Sequence, residues 1–354
     1  MIDERPRPGQ TVTMELLVVD HDTVTDLLTL DACLPVMRDA LIALSRGDGF
    51  QPLRATAMPP GLAGFLVLMP GHLAGTGRPG TGAPHVDAGA GVLGIKLLGI
   101  FPGNPARGED AHQGAVLLLD PETGAARAVV NATPITAVRT AAVSALATRA
   151  LARPDATTLA VLGTGVQARW HVRAIATERA LTSVRLHGRD PHRTAEVAAE
   201  LTAETGVPVE AAPNARDAVD GAGIVVTATT SRTPVLEHGW LAAGTHVNAV
   251  GACLPADREL PTATVAAARF VVDRRESALA EAGDFRLAAA EAGLAPEHIA
   301  AELGEVLAGT VPGRTDPDQL TVFESLGLAV EDLAAARYVV DAARAAGRGT
   351  PARF

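Results

Sequence analysis

The run Val161–His171, VLGTGVQARWH, constrains the chain more than any other stretch, because it sets Gly163, Gly165 and Ala168 in a Gly-x-Gly-x-x-Ala array. In a chain with 35 glycines the array alone is a weak signal, so its flanks decide its meaning. Before it, the β-branched and apolar run 157–163 follows the breaker Arg153-Pro154-Asp155 and reads as a buried parallel strand. After it, VQARWHVRAIATE has helical spacing, with Val166, Trp170 and Ala174 on one face. Strand, glycine turn and helix in that order make a phosphate-binding turn. Gly163 permits the sharp turn, Gly165 lets a pyrophosphate approach the backbone, and Ala168 keeps helix and strand close. The amides of Gly165, Val166 and Gln167 then face the phosphates at the positive end of the helix.

The alternation continues downstream. Segments 183–188, 207–212, 224–230 and 245–252 read as strands, 268–274 as a last one, with helices over 190–206 and 214–223 between them. This is an α/β pattern that predicts a doubly wound parallel sheet of Rossmann type. The second strand ends RLHGRDPHR, with Gly188 where an NAD site carries an acid for the ribose 2′-hydroxyl. Arg189 follows at once and Arg193 lies near. A guanidinium in place of the acid favours a 2′-phosphate, hence NADP, with NAD as the alternative if Asp190 reaches back or Arg189 is simply solvated. Thr229, Thr230 and Ser231 after the fourth strand, and Asn248, Val250 and Gly251 at the fifth, are expected to line the ribose and nicotinamide.

With 354 residues, two domains are expected. The net charge of −10 argues against a nucleic-acid partner, whose phosphates demand Lys and Arg. The polar start MIDERPRPGQTV lacks the apolar core of a signal peptide, and no apolar run reaches the ~18 residues of a membrane span. A cytoplasmic location is expected, with Cys33 and Cys253 as free thiols and no metal site. The segment Gly71–Gly94 is rich in Gly and Pro and reads as a loop, either a lid or a tolerated insertion. His72 and His85 within it are candidate proton donors, although loop histidines are ordinarily just solvated.

Upstream of the glycine turn, three cations stand in apolar or small-residue surroundings: Arg54 in QPLRATAMPP, Lys96 in GVLGIKLLGIFPGN and Arg139 in ITAVRTAAVSALATRAL. An unpaired ammonium in a run like that around Lys96 is costly. Each cation singly is best read as pairing with a carboxylate. Three together beside a nicotinamide suggest an anionic substrate held by arginines, with a lysine at the reacting centre.

The motifs PLR, LMP, GIKLLGIFPGN, ITAVRTAAVSALA, LGTGVQARWH, GTHVNAVGACLPADREL, EAGDF and VFESLGLAVEDLAAA resemble the ornithine cyclodeaminase and mu-crystallin family along nearly the whole chain. The resemblance implies a Rossmann domain over 153–324 inserted into a smaller α/β substrate-binding and dimerisation domain. The latter comprises 1–152 and the last helix, 325–354, and a homodimer is implied. It also implies that Arg54 and Arg139 bind a substrate carboxylate and that Lys96 faces the substrate. The two acids of the cyclodeaminases fall on Val67 and Cys253, so both are absent. The expectation is therefore an NADP-dependent reductase of imines next to a carboxylate, reversible as an α-amino-acid dehydrogenase, with Lys96 catalytic and Cys253 in the substrate pocket. An ornithine cyclodeaminase with unusual acids and a non-catalytic NADP-dependent binder of small molecules are the alternatives.

Overall fold

The computed structural model describes residues 15–75 and 91–353. Two eight-stranded sheets organise them. The first runs in the order Thr350–Arg353, Glu15–Val19, Ala126–Asn131, His112–Leu119, Val92–Ile100, Phe65–Leu73, Gly49–Phe50, with Ala55–Ala57 also paired to Phe65–Leu73. Only Glu15–Val19 and Ala126–Asn131 are parallel neighbours; the other pairs are antiparallel. Alternation sorts its side chains. Val67, Met69, Lys96, Leu98, Val116 and Val130 are buried on one face, whereas Leu66 and Leu97 on the other are 41% and 45% exposed. The buried face is covered by the helices Leu30–Ser45, Ala132–Leu151 and Ala329–Ala345.

The strands of the second sheet are all parallel, in the order Val209–Ala211, Ser183–His187, Thr158–Leu162, Ile224–Thr227, His246–Ala249, Thr321–Glu324, Arg269–Val272, Ile299–Glu302. This is the doubly wound Rossmann-like sheet that the alternation predicts. Its central strands Ile224–Thr227 and His246–Ala249 are buried throughout, as expected of parallel strands covered on both faces. Apolar side chains fill both sides: Leu159, Val161, Ile224 and Val226 join the core shared with Ala132–Leu151, while Ala160, Val225, Val247 and Phe270 form a second cluster.

Several expectations need correction. Arg269–Val272 is not the last strand, because Ile299–Glu302 and Thr321–Glu324 follow, the latter sliding between the fifth strand and Arg269–Val272. IAAE has little β-branched content, so its pairing with Arg269–Val272 at the sheet's edge and its burial make it a strand. The helix Val166–Glu178 buries Ala168, His171, Val172, Ala174 and Ile175. Val166, set on one face with Trp170 and Ala174 by spacing, is 50% exposed beside the glycine turn, whereas Ala174 is buried. The Gly71–Gly94 loop is shorter than expected. Gly71, His72 and Leu73 pair with Gly94, Leu93 and Val92, so His72 is a half-buried strand residue. His85 and the centre of that segment lie outside the described residues.

Candidate active site

The glycine turn is shaped for a ligand. Gly163 has φ +126°, and a Cβ there would lie 2.4 Å from the Ala228 carbonyl oxygen, so no other residue fits. Gly165 begins the helix Val166–Glu178 without any side-chain cap, and a Cβ on it would meet nothing within 4 Å. The free amides of the first turn therefore look onto open space, which fits the pyrophosphate of a nicotinamide dinucleotide. Gln167 donates through Nε2 to the Thr136 carbonyl at 3.3 Å, tying the turn to the helix that carries Arg139.

At the end of Ser183–His187, packing dictates the missing acid. A Cβ on Gly188 would stand 2.6 Å from Thr164 Cγ2. Asp190 cannot readily substitute, because its Oδ1 accepts from the backbone N–H groups of His192 and Arg193 and caps the helix Pro191–Thr205. Arg189 and Arg193 are exposed, and neither side chain pairs with another group among the described residues.

The loops expected at the nicotinamide end are braced by a residue that motif reading did not single out. Buried Glu259 accepts from the Thr229 backbone N–H and Oγ1, both at 2.6 Å, and from the Gly251 N–H at 2.7 Å. It thus clamps the loops after the fourth and fifth strands together. Thr229 spends its hydroxyl on this clamp and Ser231 donates its own to the Thr233 carbonyl, which leaves Thr230 as the exposed member of the trio. Val250 is buried beside Gly251. Asn248 does not line the crevice. It is fully buried within His246–Ala249, donates to Thr148 Oγ1 at 2.9 Å and accepts from His246. Strand alternation turns its amide into the seam with the helix Ala132–Leu151.

The three predicted cations converge, and every one is backed by a carboxylate. Arg54 donates through Nε to Glu281 Oε2 at 2.9 Å and through Nη2 to the carbonyls of Leu326 and Gly327. Arg139 closes on the same glycine, where a Cβ would sit 2.6 Å from its Nη1. Arg139 donates to Glu331 Oε2 at 2.9 Å and to Asp332 Oδ1 at 3.0 Å. Lys96 Nζ donates to the same Asp332 oxygen at 2.6 Å. A small cleft lined by Arg54, Met69, Glu281, Gly327 and Ala329 opens beside them, and Met69 is the cross-strand partner of Lys96.

Lys96 is only 1% exposed. Burial lowers its pKa to about 8, with Asp332 opposing and Arg139 reinforcing the fall. Val67 is buried apolar surface, 3% exposed. Cys253 donates its thiol to the Val250 carbonyl, and burial pushes its pKa up to about 12, so it is a neutral thiol. His112 shares the Lys96 face of the sheet through the register Ile100–His112 and Lys96–Val116. It is exposed at the start of its strand.

Sequence reasoning missed Glu259, Glu281, Glu331 and Asp332 as members of the site, although all lie in the quoted motifs. Acids in a first helical turn, as Glu331 and Asp332 are, ordinarily complement the helix dipole at the surface. The available signal was their setting among Val330, Leu333 and Ala335, which marks an apolar face.

Fold and site together define a nicotinamide-dinucleotide-dependent oxidoreductase. The chain belongs to the ornithine cyclodeaminase/mu-crystallin family, whose model matches residues 14–347. Ketimine reductase mu-crystallin of Mus musculus is 37% identical over 327 residues, which span 92% of this chain and 94% of the relative. The structure of Thermococcus litoralis Δ1-pyrroline-2-carboxylate reductase in complex with NADH and L-proline superposes with a TM-score of 0.87 at 32% identity, covering 95% of this chain and 99% of that one. An archaeal alanine dehydrogenase dimer with bound NAD gives a TM-score of 0.87 at 28% identity, covering 96% and 100%.

Proposed function

We propose that the protein is an NADP-dependent reductase of imines adjacent to a carboxylate, running in reverse as an α-amino-acid dehydrogenase. The convergence of Arg54 and Arg139 on Gly327, with Lys96 sharing Asp332 with Arg139 and with apolar Val67 and the neutral thiol of Cys253 at the positions of the cyclodeaminase acids, carries this reading. When bound, the dinucleotide supplies hydride. Arg54 and Arg139 hold the substrate carboxylate through charge-assisted bonds and so fix the acceptor carbon. Lys96 donates a hydrogen bond or proton toward the nitrogen or the carboxylate, a role suited to an ammonium whose pKa burial has brought near neutrality. Gly165, Val166 and Gln167 hold the pyrophosphate, Arg189 the 2′-phosphate, and Thr230, Val250 and Gly251 border the nicotinamide side.

In this reading residues 153–324 hold the dinucleotide, while 1–152 and 325–354 bind substrate and dimerise. The apolar outer face of the first sheet, with Leu68, Ile95, Leu97, Leu117 and Val129, is the surface that a second copy would cover. Incubation with NADPH and a panel of cyclic and linear ketimines tests the function. NADPH consumption is expected. Ammonia release from ornithine without net change in NADPH would replace the reductase by a cyclodeaminase, and no reaction with any member would leave only a binder.

A further inference from the structure

The buried ion cluster is charge-balanced on its own. Lys96 and Arg139 supply two positive charges and Glu331 and Asp332 two negative ones, and all four side chains are at most 6% exposed. Each carboxylate spends one oxygen and leaves the other bare. Asp332 Oδ1 accepts from Lys96 Nζ and Arg139 Nε, while Glu331 Oε2 accepts from Arg139 Nη1 and the Leu328 backbone N–H. Asp332 Oδ2 and Glu331 Oε1 are buried without a hydrogen-bond partner among the described residues. A bare, ionised oxygen in such surroundings is where a bound proton relieves most unfavourable energy.

A ligand carboxylate on these two cations adds a third negative charge against two positive ones. Buried sites answer an unbalanced charge by changing protonation rather than by holding it. We propose that docking of a substrate carboxylate on Lys96 and Arg139 is coupled to uptake of a proton by the Glu331–Asp332 pair, with Glu331 as the acceptor. The inference rests on the reading of these cations as a carboxylate site. Glu331 is the acceptor because it touches a single cation, whereas Asp332 lies against both.

The charged and titratable groups around Glu331 are Arg139 on Ala132–Leu151, Lys96 on Val92–Ile100, Asp273 after Arg269–Val272, Cys33 on Leu30–Ser45, and Asp332 beside it. Burial, opposed by Arg139 and reinforced by Asp273 and Asp332, holds Glu331 at about 7. At pH 7.5 the ligand-free carboxyl is mostly ionised. An arriving anion raises its pKa past the ambient pH, and it takes a proton. Well below pH 7 it already carries one, and binding needs no uptake.

The test is calorimetric titration of the protein–NADPH complex with pyrrole-2-carboxylate in buffers of different ionisation enthalpy. This planar probe has no reducible C=N bond and no amine that titrates near neutrality. At pH 7.5 roughly half to one proton should be taken up per ligand, and Kd should rise toward tenfold per pH unit above about 7. Near pH 5.5 the uptake should vanish. Glu331→Gln keeps the shape and should cut the uptake at pH 7.5 by more than half and flatten the pH dependence. If that variant misfolds, uptake by the unmodified protein at pH 6.5 decides the matter, because Lys96, with a pKa of about 8, is already protonated there while Glu331 is still partly ionised, and absence of uptake at pH 6.5 overturns the proposal. Binding whose heat is independent of buffer at pH 7.5, or undiminished uptake in Glu331→Gln, overturns the proposal. No binding heat at all overturns the carboxylate site itself, a distinguishable failure.

Discussion

Arg189 and Lys96 hold opposite positions in the energetics of this protein, one exposed and unpaired, the other sealed and paired. On the proposed reading, Arg189 gains a ligand contact alone. Replacing it by Ala should weaken NADPH by ~10- to 150-fold, the ~1.5–3 kcal/mol of a charged hydrogen bond, and leave NADH nearly unaffected. Equal loss for both cofactors in a fluorescence titration would remove the 2′-phosphate reading. For Lys96, truncation to Ala should lower imine reduction by the ~10²–10⁴-fold typical of a positioned proton donor. Cys253→Ser should stay within a few-fold of the unmodified enzyme, since a thiol with a pKa of about 12 handles no protons near neutrality. The sign of the pH effect follows from the ammonium. Its pKa is about 8, so kcat/KM for reduction should fall as pH rises above that value. A profile flat to pH 10, or an inactive Cys253→Ser beside an active Lys96→Ala, would reverse these roles.

The glycine turn shows how one element separates stability from binding. Gly163 is fixed by backbone geometry, with a positive φ and a carbonyl in the way, so Gly163→Ala should destabilise by about 1–3 kcal/mol. Gly165 faces open space and has extended backbone (φ −77°, ψ −174°) that any residue adopts. Gly165→Ala should therefore leave Tm within about 2 °C while weakening either dinucleotide at least about tenfold, because the methyl occupies the phosphate's place. Parallel thermal unfolding and cofactor titration check both. Loss of fold in Gly165→Ala would mean that the glycine serves packing instead. The helix Ala329–Ala345 is equally double in purpose, since its first turn carries the counter-ions of Lys96 and Arg139 while the rest covers the first sheet.

At the scale of the whole molecule, the first sheet has an apolar face that no helix among the described residues covers. Leu97, 45% exposed there, should become intolerable only where two copies meet. Leu97→Glu should convert a dimer into a folded monomer by sedimentation velocity, since a buried unpaired carboxylate is expensive in an interface but not in water. A monomeric unmodified protein at micromolar concentration would discard the interface.

Local pattern carried the Rossmann half. The β-branched strands, the glycine turn and the ~25-residue alternation are written in neighbouring residues, and the same short-range logic singled out Gly188 and Arg189 as the proposed ribose end. Arg54, Lys96 and Arg139 were legible as anomalies, because cations in apolar runs demand partners. Which partners they have was not legible. Asp332 lies 236 residues from Lys96 and 193 from Arg139, and only the packing of the last long helix against the first sheet brings them together. The same holds for Glu259 clamping two loops, and for Asn248, whose place in a motif suggested the cofactor until strand alternation turned its amide inward. Sequence determined the elements and the surplus of positive charge. Tertiary structure decided the neutralisation of that charge, because electrostatic pairing in a buried site depends on distances of a few ångströms that sequence separation does not encode.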